Sequence, residues 1–400
     1  MNIVNTMPKA DLSAADQCVM CGMCQPHCPT YRSEQIESES PRGRLSLMLG
    51  LAQGQLQADH SVASHLNHCS GCGACEAMCP SRVPFMQLMD NSKSHLPGKN
   101  TVTRVLLELV RQPARYRLLN ALLSSQRFGN FWRFFGFLSQ HSKSLQTVIN
   151  SRQNTQQLQP FYPATSALQG NVGLFTGCIT QLFDQTTLTD SIQLLTHCGY
   201  NVHVPKQQGC CGALHQHNGE QAIGTHLLRH NQQVFDSLPL DAIIFTATGC
   251  GAQLTSTPQN TPVMDIMQFI NQFALLSQLK LQPLTANVLI HEPCSQRNQL
   301  KLPAITPLMQ QIPGITLQQL AENPFCCGAG GINLLTQTDS ANKLRLPKIL
   351  DIQTQQPDMV ISTNYGCALH LASGTVELSE NKNIEFCHPV SLLVRSASLQ

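Results

Sequence analysis

The chain has 400 residues, of which 42 % are hydrophobic, so it is long enough for several domains with hydrophobic cores. Only 12 % of the residues are charged and the formal net charge is +2, which excludes the basic surface typical of nucleic-acid binding. No window approaches the run of about 18 apolar residues that a membrane-spanning helix needs. Membrane association is therefore expected to be peripheral at most, or through a partner.

The chain contains 18 cysteines. Residues Met1 to Ser13 lack the apolar core of a signal peptide, so a secreted, disulfide-bonded protein is not expected. The cysteines are instead interpreted as reduced ligands in the cytoplasm.

Two cysteine runs near the N-terminus share the pattern C-x2-C-x2-C-x3-C-P, which is typical of [4Fe-4S] ferredoxins. In this pattern the fourth cysteine of each run binds the cluster of the other run. The two predicted ligand sets are therefore Cys18, Cys21, Cys24 and Cys79, and Cys69, Cys72, Cys75 and Cys28. Zinc is the alternative, but zinc sites favour two well-separated cysteine pairs without a third cysteine or a final Cys-Pro. Residues 1–95 are predicted to form an all-helical ferredoxin domain with two [4Fe-4S] clusters.

Residues 96–170 are predicted to form a helical connector. It begins after Leu96-Pro97-Gly98, and one apolar helical face is formed by Val102, Val105, Leu106, Leu109 and Val110. The following stretch, up to Phe137, is rich in arginine and aromatic residues. Such a segment can lie on anionic lipid or pack against the protein's own domains or a partner, and packing is the favoured interpretation.

The C-terminal part contains an internal duplication. Cys178, Cys210-Cys211-Gly212 and Cys250 are matched by Cys294, Cys326-Cys327-Gly328 and Cys367, at offsets of 116, 116, 116 and 117 residues. We call residues 171–284 CCG module 1 and residues 285–400 CCG module 2, after the shared Cys-Cys-Gly motif.

Each module is predicted to be an α/β unit with a parallel sheet. Three short apolar strands per module are predicted at residues 171–175, 201–204 and 242–246, and at 287–290, 315–317 and 359–362, with helices between them. The loops after the carboxyl ends of parallel strands line one crevice, so the cysteines of a module should come together there. The fold class is thus α+β multidomain: a helical ferredoxin domain, a helical connector and two duplicated α/β modules.

The module cysteines are interpreted as one further iron–sulfur cluster or metal site per module. The predicted ligands are Cys178, Cys210, Cys211 and Cys250 in module 1, and Cys294, Cys326, Cys327 and Cys367 in module 2. The alternative is a set of buried thiols in a fold that has lost its cofactor. The chain has no dinucleotide-binding loop for a flavin or nicotinamide.

Two cysteines and three histidines lie outside the predicted ligand sets. Cys198 and Cys387 are expected to pack in the core, and Met264 is the expected counterpart of Cys387 in module 1. His215, His217 and His370 lie within a few residues of predicted ligands and could complete a site.

These motifs resemble the family of bacterial glycolate oxidase iron–sulfur subunits over essentially the whole chain. The resemblance is carried by Cys28-Pro-Thr-Tyr31, Pro41-Arg-Gly-Arg44, Gly209-Cys-Cys-Gly-Ala213, Gly249-Cys-Gly251, Cys326-Cys-Gly328 and Gly366-Cys367. The duplicated module is also similar to cysteine-rich domains of a heterodisulfide reductase subunit and of the anaerobic glycerol-3-phosphate dehydrogenase iron–sulfur subunit. One departure is that the C-x-x-C ending of the heterodisulfide reductase pattern is replaced here by Cys250-Gly-Ala-Gln253 and Cys367-Ala-Leu-His370.

The resemblance implies an electron-transfer subunit that is not catalytic alone. Its partner would be an FAD-containing subunit that oxidises glycolate to glyoxylate, with quinone as the eventual acceptor at the inner face of the cytoplasmic membrane. The alternatives are a heterodisulfide-reductase-like subunit with a catalytic cluster in the CCG modules, or the iron–sulfur subunit of a D-lactate or glycerol-3-phosphate dehydrogenase.

Overall fold

The structure is a computed structural model, and it describes residues 9–97, 101–112, 115, 157–378 and 384–399. The arginine- and aromatic-rich part of the predicted connector lies mostly outside the described residues. Helices and strands are numbered below in chain order.

The described residues of the N-terminal domain form helices joined by turns and loops, without a strand, as predicted for a helical domain. Its α-helices are α1 (Pro29–Glu34), α2 (Pro41–Ala52), α3 (His60–Asn67), α4 (Ala74–Ala77) and α5 (Phe85–Lys93), with 3-10 turns at Lys9–Gln17 and Glu37–Glu39. Ser40 and Asp59 cap α2 and α3 by accepting hydrogen bonds from the amides of Gly43 and Val62. The helices enclose one apolar core, which includes Leu45, Met48, Leu66, Leu88 and Met89.

Helix α6 (Thr101–Arg111) begins where the connector helix was predicted, but its buried face differs from the predicted one. Val105 is 53 % exposed, whereas Leu107 and Val110 are buried. Val110 packs against Cys178 and Cys210 of module 1, a contact that the helical periodicity alone could not place.

Module 1 has a five-stranded sheet in the order β1-β3-β2-β4-β5. Its strands are β1 (Phe161–Tyr162), β2 (Gly170–Phe175), β3 (Tyr200–His203), β4 (Ala242–Phe245) and β5 (Val263–Asp265). All neighbouring pairs are parallel except β1 and β3. The α-helices of this region are α7 (Ile179–Phe183), α8 (Gln185–His197), α9 (Ala213–Gln216), α10 (Gln221–Asp236), α11 (Thr248–Leu254) and α12 (Ile266–Gln272), followed by a 3-10 turn at Leu275–Gln278.

Module 2 repeats this arrangement with a four-stranded parallel sheet in the order β7-β6-β8-β9. Its strands are β6 (Ala286–His291), β7 (Ile315–Gln319), β8 (Met359–Ser362) and β9 (Glu385–Cys387). The α-helices are α13 (Thr306–Met309), α14 (Asn333–Thr336), α15 (Thr338–Gln355), α16 (Tyr365–Leu378) and α17 (Pro389–Ser396), and a π-helical turn spans Ser295–Gln299.

The six predicted strands all form and are parallel within each module. In the first sheet β2 lies between β3 and β4, and in the second sheet β6 lies between β7 and β8. The chain therefore continues first to one side of β2 or β6 and then to the other side. Ligand sites of open parallel sheets form at such a position, beyond the carboxyl ends of the strands. Strand β1 lies within the predicted connector and joins the first sheet, and the division into domains at residues 95, 170 and 284 stays a prediction. One continuous hydrophobic core, containing Val172 and Val288, joins the two modules.

Candidate iron–sulfur and metal sites

The first cavity in the ferredoxin domain is lined by its four predicted ligands, which come from both runs, and by Cys75. Cys18, Cys21 and Cys24 come from the loop before α1, and Cys79 follows α4. The cavity has about 450 Å³ of space not filled by protein atoms. Cys21 is exposed, so this cavity reaches the surface.

The second cavity is lined by Cys69, Cys72 and Cys75 together with Cys28 of the first run. It has about 300 Å³ of unfilled space, and three of its cysteines are buried. The pKa of Cys75 is raised well above its ordinary value, first by burial and then by the neighbouring thiols Cys72 and Cys69. Four thiols gathered around unfilled space fit a metal cluster, because metal cations offset the charge of closely spaced thiolates.

A buried polar network supports the second cavity at Cys28. The Thr30 hydroxyl lies 3.2 Å from the Cys28 sulfur and accepts a hydrogen bond of 2.9 Å from Arg44. The Arg44 guanidinium also pairs with the buried Glu39 carboxylate. Burial would raise the pKa of Glu39, but hydrogen bonds from His68 and His65 and the charge of Arg44 hold it at about 2. Glu39 was missed in the sequence, whereas Thr30 and Arg44 lie in the family motifs.

The module cysteines converge beyond the carboxyl ends of the strands, as the parallel sheets predict. In module 1 hydrogen bonds link the thiols of Cys178 and Cys210, Cys210 and Cys211, and Cys211 and Cys250. Module 2 has the same order, with Cys294 linked to Cys326, Cys326 to Cys327, and Cys327 to Cys367. The sulfur atoms of Cys294 and Cys326 are 4.0 Å apart. Each module thus brings together the four cysteines that were predicted from the duplication.

The glycine of each Cys-Cys-Gly motif has a structural role. Gly212 and Gly328 adopt φ angles of +94° and +88°, in the left-handed region that side chains rarely adopt. A Cβ at either position would also collide with the backbone carbonyl of Gly224 or Ala341 on the following helix. The tight turn directs the Gly212 and Gly328 amides at the Cys210 and Cys326 sulfurs, at 3.5 and 3.4 Å.

Hydrogen bonds among the thiols shift the pKa of Cys210 in module 1 and of Cys326 in module 2. Hydrogen bonds from Cys178 and Cys211 lower the pKa of Cys210 well below its ordinary value, and those from Cys294 and Cys327 do the same for Cys326. The same contacts raise the pKa of the flanking thiols. Metal ligands must be deprotonated, so loading either module with metal must release the protons of the flanking thiols.

Module 2 packs directly on the ferredoxin loop that carries the second cavity. The side-chain amides of Asn298, Gln299 and Asn333 donate hydrogen bonds of 3.0, 3.0 and 3.3 Å to the backbone carbonyls of Cys72, Gly71 and Cys69. Cys72 also packs against Cys326 and Cys294 in one apolar cluster. The second cavity and the thiols of module 2 are therefore neighbours.

In the described residues none of the three histidines belongs to a group of three or more potential ligand atoms within 4.8 Å of one another. His215 pairs with Glu220 at 2.6 Å, His217 with Asp90 at 3.2 Å, and His370 contacts the Ala341 carbonyl at 3.2 Å. Instead His291, which ends β6, lies with Cys327 and Cys367 so that their three potential ligand atoms are within 4.8 Å of one another. His291 lies three residues before Cys294 in the sequence, and this proximity could have identified it as a candidate ligand.

The two remaining cysteines are core residues, as expected. Cys198 is fully buried in the shared core, and Cys387 packs against that core. The strand register also confirms the expected equivalence, because Ile244 pairs with Met264 in module 1 and Ile361 pairs with Cys387 in module 2.

Comparison with protein families finds two matching domain types. The family model described as a 4Fe-4S dicluster domain matches residues 14–83, and the one described as a cysteine-rich domain matches residues 172–255 and 288–372. The chain therefore contains one region that matches a dicluster domain and two regions that match a cysteine-rich domain. These matches contain all sixteen cysteines predicted as ligands.

Several known proteins are similar to this chain over most of its length. The probable glycolate oxidase iron–sulfur subunit of Bacillus subtilis is 28 % identical, over 95 % of this chain and 93 % of that protein. The glycolate oxidase iron–sulfur subunit of Escherichia coli is 27 % identical, over 89 % of both chains. A fumarate reductase (CoM/CoB) subunit of Methanothermobacter marburgensis is 23 % identical, over 88 % of this chain and 67 % of that one. The chain is therefore similar to subunits of oxidoreductases.

The described part of the chain contains no helix that is long and apolar enough to cross a membrane.

Proposed function

We propose that this chain is the iron–sulfur electron-transfer subunit of a flavin-dependent 2-hydroxy-acid oxidoreductase whose substrate is glycolate. The observation that carries the proposal is the grouping of the cysteines. Each ferredoxin cavity is lined by three cysteines of one run and by the fourth cysteine of the other run, with Cys75 lining both cavities. The second cavity adjoins the thiols of module 2. Clusters held by such thiolates accept and donate single electrons.

The proposed ligands of the two [4Fe-4S] clusters follow the two cavities. Cys18, Cys21, Cys24 and Cys79 would hold one cluster, and Cys28, Cys69, Cys72 and Cys75 the other. Each CCG module would hold one further cluster or metal on its four thiols. The amides of Gly212 and Gly328 donate toward sulfur there, which stabilises thiolate charge.

The partner in this proposal is an FAD-containing subunit that oxidises the hydroxy acid. The names of the Bacillus subtilis and Escherichia coli relatives support glycolate as the substrate, and quinone as the final acceptor follows from the family resemblance. The complex would work in the cytoplasm, at most peripherally at the membrane.

The first test is the metal content of the full chain purified without oxygen. We expect about eight iron atoms and eight acid-labile sulfides from the ferredoxin domain, with additional metal from the modules. Zinc without acid-labile sulfide would contradict the proposal.

The second test adds the FAD-containing partner of the proposed complex. Glycolate, D-lactate or glycerol 3-phosphate is supplied separately, and bleaching of the iron–sulfur absorbance is followed. We expect fast bleaching with glycolate. Fast bleaching only with one of the other two substrates would move the proposal to that dehydrogenase.

A second candidate is a disulfide reductase with its catalytic centre in the modules. It is favoured by the similarity to the fumarate reductase (CoM/CoB) subunit over 88 % of this chain. Cys211→Ser and Cys327→Ser separate the two functions. If both variants keep glycolate-dependent dye reduction and lose the reduction of a disulfide substrate, the modules are the catalytic centres of a disulfide reductase.

A further inference from the structure

The two CCG modules differ at one pair of residues beside their thiols. In module 2 His291, at the end of β6, pairs across the sheet with Ser362, at the end of β8. In module 1 the corresponding strand ends carry Phe175 and Phe245, which pair in the same register. Two polar residues in one copy thus replace two aromatic residues in the other.

The contact between His291 and Ser362 has the geometry of a histidine metal ligand whose ring is oriented by a hydrogen bond. The ligand atoms of His291, Cys327 and Cys367 lie within 4.8 Å of one another. His291 is 1 % exposed, and its Nδ1 lies 3.0 Å from the Ser362 hydroxyl. That hydroxyl lies 3.5 Å from the Asn364 carbonyl, to which it can donate while it accepts a hydrogen bond from Nδ1–H of His291. This arrangement leaves Nε2 with its lone pair free, as in histidine ligands that are oriented by a hydrogen bond from the other ring nitrogen.

The rest of the site also fits a ligand role. Asn364 donates a hydrogen bond of 3.2 Å to the Cys367 sulfur, whereas the corresponding residue of module 1 is Ala247. Donor atoms on one tetrahedral zinc ion are ~3–4 Å apart, given metal–ligand distances of about 2.0–2.3 Å. The observed separations are thus within reach of a single metal ion after a small closure. Imidazole together with thiolate suits zinc and iron.

We propose that His291 is a metal ligand in CCG module 2, so that module 2 binds its metal with imidazole and thiolate whereas module 1 has thiolates only. The proposal rests on the proposed metal centre of module 2. The metal is a transition metal that accepts mixed sulfur and nitrogen ligands: a zinc ion or the iron of a cluster.

The test compares variants of the full chain purified without oxygen. His291→Phe installs the residue of module 1, and His291→Cys keeps a ligand atom of another kind. His370→Gln is the matched control, because His370 is equally buried in the same module, lies outside the donor group and corresponds to Gln253 of module 1. The readouts are metal per chain and X-ray absorption at the iron and zinc edges, which detects imidazole bound to either metal. For an iron centre, nitrogen couplings in pulsed electron paramagnetic resonance after labelling histidine with 15N are a further readout, because Zn²⁺ has no unpaired electron.

The expected result is a loss of one centre's metal in His291→Phe and no change in His370→Gln. His291→Cys should retain the metal but lose the histidine nitrogen signal. Ser362→Ala should keep the nitrogen signal and weaken metal retention against a chelator about 10- to 100-fold. A zinc-edge or an iron-edge signal identifies which metal the histidine binds.

The failures can be told apart. If the wild-type chain binds no metal beyond the two ferredoxin clusters, the proposed metal centre of the modules is overturned, and His291 as a ligand with it. If Cys327→Ser loses metal but His291→Phe and His291→Cys both keep it with an unchanged spectrum, only the role of His291 is overturned. If His291→Phe does not fold, His291→Cys and Ser362→Ala decide the question alone.

Discussion

Arg44 illustrates how a single buried charge can hold a cofactor loop in place. Its guanidinium pairs with Glu39 and donates to Thr30 and to the His65 carbonyl, and it is almost fully buried. Removing it leaves the Glu39 carboxylate buried without its cation. Arg44→Ala is therefore expected to lower the free energy of unfolding by about 3–5 kcal/mol, measured by denaturant unfolding together with iron release.

The control for this prediction is Arg42→Ala in the same helix. Arg42 pairs with Glu37 at 2.7 Å, but both side chains are largely exposed, so solvent weakens the interaction. The destabilisation should be much smaller than that of Arg44→Ala. Equal effects of the two substitutions would show that the buried network is not what stabilises the loop.

Asp265 is a buried carboxyl group that should make stability depend on pH. It caps α12 by accepting hydrogen bonds from the amides of Met267 and Gln268 at 2.8 and 3.3 Å, and its other oxygen has no partner in the described residues. Burial raises its pKa to about 7 despite these bonds. The folded chain thus holds this proton more tightly than the unfolded chain does, so the stabilisation is complete below about pH 4 and is lost as the pH rises to about 7. The loss amounts to about 4 kcal/mol at most.

The test of this pH dependence is Asp265→Asn, because asparagine also caps helices and cannot ionise. Thermal unfolding midpoints of variant and wild type should be close below about pH 4, and the variant should be clearly more stable at pH 8. Asp59→Asn is the same exchange at the exposed cap of α3, and it measures the effect of the substitution at a cap itself. A difference for Asp265→Asn that does not change with pH would contradict the prediction.

Residues with a repeated spacing could be predicted from sequence, whereas residues placed by long-range packing could not. The cysteines of both cavities are encoded by local spacing and by the duplication. Glu39 lies outside both cysteine runs, and His291 is replaced by Phe175 at the equivalent position of module 1. Their partners are 26 and 71 residues away in the chain. Only the fold brings these groups together.

At the scale of elements, long apolar strands were predictable and short edge strands were not. Strands β2, β4, β6 and β8 are buried, so they are continuous apolar runs. β1, β5 and β9 have two or three residues each and depend on their neighbours for pairing. The predicted buried face of α6 was wrong for a related reason. Which residues of α6 are buried depends on how the helix packs against module 1.

The contact between module 2 and the ferredoxin loop depends on Gly330, where any side chain would be too close to the loop. A Cβ on Gly330 would overlap the Ser70 carbonyl. Gly330→Ala is therefore expected to push the loop of residues 69–75 away from module 2. Hydrogen–deuterium exchange in that loop should rise, and the iron of the second cavity should be lost more readily.

The matched control at this scale is Gly366→Ala in module 2. A Cβ there meets no atom closer than 3.9 Å apart from its chain neighbours, so alanine fits. Exchange in the loop should stay at the wild-type level in this variant. If Gly330→Ala also leaves exchange and iron retention unchanged, the close packing at Ser70 does not hold the loop.

At the scale of the whole molecule, the two ferredoxin cavities face different surroundings. The second cavity is covered by module 2, whereas the first reaches the surface at Cys21. Met20, Met23 and Met78, which lie beside predicted ligand cysteines in the chain, are all exposed. Val19, 68 % exposed, and Met20 line the first cavity. We call these four residues the apolar rim, and such exposed apolar surface is typical of a binding site.

The proposed flavoprotein partner is expected to dock on this rim, because it is where the first cavity comes within reach of another protein. Val19→Glu and Met23→Glu should each weaken reduction by the partner with glycolate, with a higher apparent Kd for the partner, since a charge would be buried in the contact. Iron content and reduction by dithionite should remain at wild-type levels. Leu168→Glu, at an equally exposed apolar residue of the connector, is the control and should change none of these. If the rim variants bind the partner as the wild type does, the partner does not dock on the apolar rim, and weaker binding by Leu168→Glu alone would place it at the connector instead.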